Sequence, residues 1–511
     1  MRKTNYGVDL TGGLLILLML VACGFLGLHF VHLRADFPNH SPWVDWAKYT
    51  DEGWYGDAAI RYYLRGRWQV PGDFNPAAAL PVWPLLEGML FGITGVGIVP
   101  ARSLAVCVFA GTVVVAYALM RRGTGRESPV VARLAPAVAV MMMAVSPFLF
   151  AFGRMAILEP MLILLGLMAM WLGWTMPSIG TRSYVGAVTL GVLLSLMVGT
   201  KTTAVCLFPA VLWMLWCGQG RSFRPFVRSA AIALSMVALI VGCYYLLVIR
   251  PHYLDDFRYL FAANGYTQIS RATFWATVVD TFKNAAWTGP AMAAIALGAV
   301  VCALFRRALW VDPLFTGCVL WIAGYFTFLA YHASLQPRYY MVVAVPLTIL
   351  AVRGAEELAA EWSWAAIVFA ALFATVAVVE ARQTIAYLRN PQYTFSDAAQ
   401  RVKTVVDAVP KHSHTVLSIS GSDLTLMTGL PSICDDFGTM ELDQRIAAYR
   451  PGWFIAWNYV EDDKMEALAK FYQLTRVAQF PAMDDPDRNL LIVYRLDERQ
   501  VRVRGFREIL R

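Results

Sequence analysis

Long apolar runs alternate with shorter polar segments over the first 390 residues. Each run is close to the length of about 20 residues that a helix needs to cross a bilayer. The runs are 11–32, 82–98, 102–120, 131–150, 156–174, 184–199, 203–217, 229–249, 287–305, 313–332, 338–352 and 362–382. This recurrence predicts a polytopic α-helical membrane protein.

The last 121 residues follow a different pattern, in which short alternating stretches are interspersed with helical ones. Strands are predicted at 415–420, 453–457 and 490–496. Helices are predicted from a Ser396 cap to about Val409, and over 461–473. We therefore expect two domains, a transmembrane domain over 1–390 and a small α/β domain over 391–511.

Composition agrees with a membrane protein, since 58% of the 511 residues are hydrophobic and 15% are charged, against about 25% charged in soluble domains. Residues 391–511 carry 15 Lys and Arg against 17 Asp and Glu, a net charge of −2, so residues 1–390 carry +10 and the chain as a whole carries +8. Positive charge in a membrane domain indicates its topology and contact with anionic membrane lipids. No nucleic-acid partner is expected. The eight cysteines have no disulfide or metal-ligand spacing.

The positions of the arginines predict the topology. Three short loops are rich in arginine, at 121–126, 221–228 and 306–307. All three are cytoplasmic if Arg2 and Lys3 lie inside and the Pro- and Gly-punctuated run 82–98 dips into the outer leaflet without crossing. This arrangement gives about 11 crossings in an inner or plasma membrane, with the N-terminus inside and 391–511 outside. Residues 33–100 and 250–286 then form long outer loops.

The first outer loop contains Asp51 and Glu52, followed by a helical pattern with Tyr55, Tyr62 and Tyr63 on an aromatic face. Such a helix suits the membrane interface. Two interpretations of the acidic pair are open from the residues alone. The carboxylates favour the positive end of the helix dipole and can simply cap free N–H groups. Alternatively, they carry chemistry.

The loop resembles that of the C-type (GT-C) glycosyltransferases that use polyprenyl-phosphate sugars, especially the branch with protein O-mannosyltransferases and aminoarabinose lipid A transferases. The resemblance rests on an Asp-Glu pair and a Tyr-rich helix after a single N-terminal span. It continues through further landmarks in the family's order, at 75–86, 101–104, 153–160, 199–201 and 336–340. Two positions depart from the family pattern: Glu159 stands where Asp is commoner, and Leu80-Pro81 replaces a double proline.

The resemblance implies transfer of a sugar to a lipid, glycan or protein acceptor on the outer membrane face. It assigns the general base to Asp51, with Glu52 orienting Asp51 or a cation and Glu159 as a second carboxylate of the same cavity. A carboxylate that accepts the hydroxyl proton suits this reaction. With no separate covalent step evident, we expect inversion at the anomeric centre.

Cations at the outer ends of predicted spans complete the candidate site. Lys201 and Arg338, with Tyr339 nearby, could hold the donor phosphate. The further substrate-binding candidates are Tyr55, Tyr62 and Arg154. For each cation the alternative is a side chain that merely extends to the interface.

No cofactor is expected, and a divalent metal is left open. Asp255 and Asp256 are interpreted as solvated surface, and His332 as structural. Two rival functions remain: a lipid-linked sugar flippase or transporter, and a glycan ligase or polymerase using a pyrophosphate-linked donor. A transporter would place ionisable residues near mid-membrane, whereas these lie mostly at the outer rim.

Overall fold

The computed structural model describes residues 10–38, 40–123, 129–263, 270–283, 289–331, 336–419, 421–458 and 462–499. The part corresponding to the apolar runs is helical. Its helices are α1 (Leu10–Leu28), α2 (Asp51–Arg65), α3 (Val82–Thr94), α4 (Ile98–Gly123), α5 (Pro129–Val145), α6 (Pro147–Gly153), α7 (Leu158–Thr175), α8 (Thr181–Thr200), α9 (Phe208–Gly218), α10 (Phe223–Tyr244), α11 (Leu254–Ala263), α12 (Arg271–Lys283), α13 (Pro290–Phe305), α14 (Arg307–Val311), α15 (Pro313–Tyr331), α16 (Met341–Glu361) and α17 (Ser363–Arg389).

Short turns connect several of these helices. Short 3₁₀ segments span Trp46–Lys48, Pro76–Ala78, Thr202–Leu207 and Pro337–Tyr340. A π-helical stretch over Tyr245–Tyr253, with Pro251 inside it, joins α10 to α11. A proline inside a helix removes one backbone hydrogen bond, which accounts for wider winding there.

Seven helices among the described residues are long and apolar enough to cross a membrane, and the bent pair α5–α6 is an eighth candidate. The chain is therefore a multi-pass membrane protein, but the count of eleven crossings is not confirmed. Two of the expected spans, α9 and α13, are shorter apolar helices. The third is the span predicted at 338–352. The observed helix, α16, continues to Glu361 and therefore includes the buried charged residues Arg353 and Glu356.

Helix α3 corresponds to the run that we expect not to cross. It has 13 residues, so it is about 20 Å long, against a hydrocarbon core of about 30 Å. The helix begins directly after Pro81 and ends at Thr94. The next residue, Gly95, has a φ of 77°, which glycine tolerates. Its length fits the dipping arrangement, and the orientation of the termini stays a prediction.

The last part of the chain forms a five-stranded sheet with helices. Its elements are α18 (Thr394–Asp407), β1 (Val416–Leu417), α19 (Gly421–Thr428), β2 (Ser432–Ile433), α20 (Leu442–Tyr449), β3 (Trp453–Trp457), α21 (Asp462–Phe471), β4 (Tyr472–Pro481) and β5 (Leu490–Glu498). The strand order is β2-β1-β3-β5-β4. β1 is parallel to β2 and β3, whereas β5 is antiparallel to both β3 and β4. A small sheet follows the helical part, as expected; the boundary at 390/391 stays a prediction.

One local prediction in this region is wrong. Ser396 does not cap α18 but lies inside it, because the helix begins two residues earlier. The cap comes from Asp36, whose carboxylate accepts hydrogen bonds from the backbone N–H groups of Phe395 and Ser396 at 2.8 and 3.0 Å. A partner that distant along the chain satisfies the helix end as well as a local one.

Helix α2 lies between the membrane helices and the sheet region. It packs against α3 on one side and α19 on the other, and most of its first eleven residues are buried. Gly53 allows the close approach of α19, since a Cβ there would lie 2.2 Å from the backbone carbon of Ser422. The acidic start of α2 is therefore enclosed, and only its end, at Tyr62 to Leu64, is exposed.

Candidate functional site

A cavity of about 380 Å³ opens at the start of α2; we call it the Asp51 cavity. Three parts of the chain that are distant in sequence form its walls. The first outer loop and α2 contribute Trp46, Asp51, Trp54 and Tyr55; the ends of the membrane helices contribute Lys201, Phe328, Arg338 and Tyr339; and the sheet region contributes Ile419, Asp436 and Phe437. Of the predicted site residues, the structure thus brings Asp51, Tyr55, Lys201, Arg338 and Tyr339 together.

Asp51 and Arg338 form an ion pair in this cavity. Oδ2 of Asp51 lies 2.9 Å from Nη2 of Arg338, and Thr50 donates its hydroxyl to Oδ1 of Asp51 at 3.1 Å. Arg338 is also held by Asp45, which pairs with its guanidinium and accepts from its backbone N–H at 2.7 Å. Asp45 was not predicted as a site residue, because nothing in the neighbouring sequence distinguishes it from any other acidic residue of a loop.

Burial raises the pKa of the Asp51 carboxyl, and the neighbouring Arg338 cation opposes that rise. The carboxylate of Asp45 adds to the increase, because a second negative charge nearby disfavours ionisation. A carboxyl group with a raised pKa accepts a proton more readily, which suits a general base.

Lys201 and Glu159 form a second buried ion pair at the same end of the helices. Glu159 is in the first turn of α7, and Lys201 follows the last residue of α8. The Lys201 ammonium also lies 4.2 Å from the centre of the Tyr339 ring, close enough for a cation–π contact. The Tyr339 ring in turn lies 4.8 Å from the Arg338 guanidinium carbon. One aromatic ring therefore separates the two cations.

Glu52 points away from the Asp51 cavity. Its Oε1 accepts hydrogen bonds from Nε of Arg102 at 2.8 Å and from the backbone N–H of Ala156 at 2.9 Å. Arg102 is on α4, so the pair ties the start of α2 to the membrane helices. Of the two roles considered for Glu52, orienting a cation is the one that matches its contact with Arg102, and the role itself stays a prediction. Arg102 is part of a sequence landmark, but no role was predicted for it.

The sheet region contacts the start of α2 directly through Asp423, on α19. The carboxylate of Asp423 accepts a hydrogen bond from the backbone N–H of Gly53, one of the N–H groups that a helix start leaves unpaired. Burial raises the pKa of Asp423 well above its usual value, and the nearby Glu52 carboxylate adds to that effect. This contact was also missed, since no local pattern links residues 370 positions apart.

Two predicted binding residues lie elsewhere. Tyr62 is exposed and stacks on Trp68, with ring centres 5.4 Å apart. Arg154 lines a separate cavity and donates to the carbonyl groups of Val31 and His32. Neither lines the Asp51 cavity, and their assignment to substrate binding stays a prediction. His332 lies outside the described residues.

Asp256 is buried. The interpretation of Asp255 and Asp256 as solvated surface is therefore wrong for Asp256. Its carboxylate accepts hydrogen bonds from Asn75 at 3.0 Å and from Gln69 at 2.5 Å. The same Asn75 accepts from Arg61, which pairs with Asp57 and Asp73 at 2.8 and 2.6 Å. This network joins α11 to α2. Within the described ranges, no three His, Cys, Asp or Glu side chains are grouped to hold a metal ion.

Comparison with known proteins gives similarity in structure only. No protein-family model and no curated protein sequence matches the chain. The crystal structure of ArnT from Cupriavidus metallidurans bound to undecaprenyl phosphate superimposes with a TM-score of 0.60 at 15% identity, covering 94% of this chain and 98% of that one. Archaeal oligosaccharyltransferase AglB from Archaeoglobus fulgidus, in complex with an inhibitory peptide and a dolichol-phosphate, gives 0.53 at 12% identity, covering 91% and 73%. The chain therefore has the GT-C fold that the sequence resemblance implied.

Proposed function

We propose that this GT-C-fold chain is a membrane glycosyltransferase that takes a sugar from a polyprenyl-phosphate carrier and transfers it to a lipid, glycan or protein acceptor outside the membrane. The observation that carries the proposal is the Asp51 cavity itself. A buried carboxylate and two cations meet there at the ends of apolar helices. The two structures with the same fold, which contain undecaprenyl phosphate and dolichol-phosphate, support a lipid-phosphate donor.

In the proposed reaction Asp51 is the general base. Its carboxylate accepts the proton of the acceptor hydroxyl as that oxygen bonds to the anomeric carbon, while the bond from that carbon to the phosphate oxygen breaks. Displacement in one step inverts the anomeric centre. The raised pKa of Asp51 and its position on the cavity wall support this role.

Arg338 and Lys201 stabilise the phosphate as its negative charge grows. Both line the cavity, and cations held in place before the reaction stabilise developing charge without reorganising. Their pairing with Asp45 and Glu159 supports this role, because each pair fixes the position of its cation. Glu159 acts in this scheme as a positioning residue for Lys201, and Glu52 acts likewise through Arg102.

The acceptor enters beside the sheet region in this proposal. Ile419, Asp436 and Phe437 line the same cavity as Asp51, and Phe437 packs on Trp54 with ring centres 5.1 Å apart. Aromatic faces and a carboxylate suit a polyhydroxylated ligand, since the rings pack on its C–H faces and the carboxylate accepts hydrogen bonds from its hydroxyls.

The experiment is a donor panel. Purified protein reconstituted in liposomes is incubated with a set of radiolabelled polyprenyl-phosphate sugars and a total membrane lipid, glycan and protein extract as acceptor. We expect one donor to yield a labelled product and free polyprenyl phosphate, with Asp51→Asn protein giving neither. Label that moves only from one leaflet to the other, with the donor intact, would favour the flippase alternative. Activity only with a pyrophosphate-linked donor would favour the ligase alternative.

A further inference from the structure

A second cavity of about 240 Å³ lies where α1, α6 and α17 end; we call it the Arg154 cavity. Arg102 and Arg154 line it together with Asp36 and with apolar and aromatic side chains such as Phe37 and Phe150. The Asp36 carboxylate is already engaged by the backbone N–H groups at the start of α18. Arg102 is the link to the Asp51 cavity, because it pairs with Glu52, the residue next to Asp51.

The two arginines differ in how far their hydrogen-bonding groups are used. Arg102 donates to Glu52 from Nε and Nη2 and to the carbonyl group of Leu33 from Nη1. Arg154 donates only from Nη2, to the carbonyl groups of Val31 and His32 at 2.7 and 2.6 Å. Its Nε and Nη1 find no acceptor among the described residues, and no described carboxylate pairs with it.

Arg154 therefore brings to the cavity a positive charge that is not ion-paired within the described residues, although the Glu52 carboxylate stabilises it from a distance. Burial lowers its pKa to about 10, so it remains a cation at neutral pH. The guanidinium carbon lies 4.7 Å from the centre of the Phe150 ring, which fixes its plane. Three unused N–H donors on a held guanidinium match the oxygens of a phosphate group.

The surroundings indicate that such a phosphate belongs to a lipid. Phe30 and Val31 are 45% and 38% exposed, and Arg154 contacts the carbonyl group of Val31. They continue the apolar surface of α1, a candidate membrane span. A lipid whose chains lie along this surface brings its headgroup to the mouth of the cavity.

We propose that the Arg154 cavity binds the phosphate of an anionic membrane lipid, at a site separate from the Asp51 cavity. Arg154 forms the ionic contact, the aromatic wall covers the glycerol end of the headgroup, and the Glu52–Arg102 pair forms the boundary between the two sites. The proposal requires no glycosyl transfer, so its test is independent of the proposed function.

The test is lipid binding by the full chain purified in a neutral detergent. Thermal unfolding, followed by tryptophan fluorescence, is measured against added phosphatidylglycerol, zwitterionic phosphatidylcholine, undecaprenyl phosphate or inorganic phosphate. We expect phosphatidylglycerol to raise the unfolding midpoint, and phosphatidylcholine and inorganic phosphate to leave it unchanged. The apparent affinity of Arg154→Gln for phosphatidylglycerol is expected to fall about tenfold or more, as for loss of a charged hydrogen-bond partner.

Two further variants keep the test decisive. Arg34→Gln removes an exposed arginine of the same loop and is expected to retain the wild-type response. Ala386→Trp fills the cavity from an exposed wall position without removing a contact of Arg154, and it is expected to abolish the response even if Arg154→Gln does not fold.

Four results would overturn the proposal. They are an equal response to phosphatidylcholine, an equal response to inorganic phosphate, an unchanged response in Ala386→Trp, and an equal loss in Arg34→Gln. The measurements with undecaprenyl phosphate show whether the bound phosphate belongs to a phospholipid or to the carrier lipid. If its binding is weakened by Arg154→Gln, the carrier lipid also uses this cavity. If only Lys201→Met/Glu159→Gln weakens it relative to Glu159→Gln, the carrier is confined to the Asp51 cavity and the Arg154 cavity is left to phospholipids.

Discussion

Asp51 and Arg338 are one ion-paired unit, with Oδ2 of the first 2.9 Å from Nη2 of the second. Arg338 is held from the other side by Asp45. The proposed base and a proposed phosphate-binding cation are therefore coupled. Removing the Arg338 charge changes the pKa of Asp51, whereas Arg338 keeps its own charge and its contact with Asp45 when Asp51 is replaced. The first two predictions below depend on this coupling.

The first prediction concerns the pH dependence of transfer. Asp51 must be deprotonated to act as a base, and burial raises its pKa, so the rate should fall on acidification at a higher pH than an ordinary aspartate would allow. Arg338 lowers the pKa of Asp51 and Asp45 raises it. The acid limb of the kcat/KM profile should thus move to higher pH in Arg338→Gln and to lower pH in Asp45→Asn. Profiles that coincide with wild type in both variants would mean that another group sets this limb.

The second prediction separates phosphate binding from acceptor binding. If Arg338 stabilises the charge that grows on the leaving phosphate, Arg338→Lys should lower kcat more than it raises the KM for the donor. A lysine keeps the charge but lacks the planar fork by which the guanidinium contacts Asp45 and Asp51 through two separate nitrogens. Kinetics with donor and acceptor varied separately test this. An increase confined to the acceptor KM would refute the assignment.

Lys201 requires a paired variant, because its removal leaves the buried Glu159 without a cation, which typically costs about 3–5 kcal/mol. The third prediction therefore compares Glu159→Gln with Lys201→Met/Glu159→Gln. Both lack the charge of Glu159, so the difference between them reports on Lys201 alone. We expect the double variant to have the lower kcat at unchanged acceptor KM. Equal kcat values in the two variants would exclude Lys201 from leaving-group stabilisation.

The fourth prediction concerns the contact between α2 and the sheet region. In Gly53→Ala the new Cβ would meet the Ser422 backbone at 2.2 Å, so α2 must shift. A displacement of about 1 Å at a reacting group costs about 10²-fold in rate. We expect a loss of that order, measured as kcat in protein that still elutes as a folded species. Gly24→Ala, at a helix position with open space around it, is the control and should keep wild-type activity.

The fifth prediction is that the segment over 82–98 does not cross the membrane and that 391–511 lies outside, since only this arrangement puts the arginine-rich loops inside. Reporter fusions after Arg511 test it. A fusion that is active only in the cytoplasm would contradict both the topology and an outer active site.

Local patterns predicted the elements well. The strand over Trp453–Trp457 was predicted with its observed bounds, and the predicted helix over 461–473 is observed as α21 over Asp462–Phe471. Such elements follow from the spacing of apolar residues and from turn residues next to them. The long strand β4 was missed because its solvent-facing half is polar and continues directly from α21.

The ion pairs that organise the site could not be predicted in the same way. Asp45 meets Arg338 across 293 residues, and Asp423 meets Gly53 across 370. Each depends on how whole elements pack, and neither residue has a neighbour pattern that distinguishes it from a surface acid. Asp51 was assigned through the family resemblance, and Lys201 and Arg338 through their position at the outer ends of predicted spans. Arg154 was chosen on the same positional ground but lies in a different cavity.

The most direct test of the account is the rate of sugar transfer by Asp51→Asn, measured with the donor identified by the panel and alongside donor binding. The substitution removes the proton acceptor and nearly preserves the side chain's shape, so donor binding should persist while the rate falls about 10²- to 10⁴-fold. Turnover within a factor of about three of wild type would contradict the central claim that Asp51 is the base.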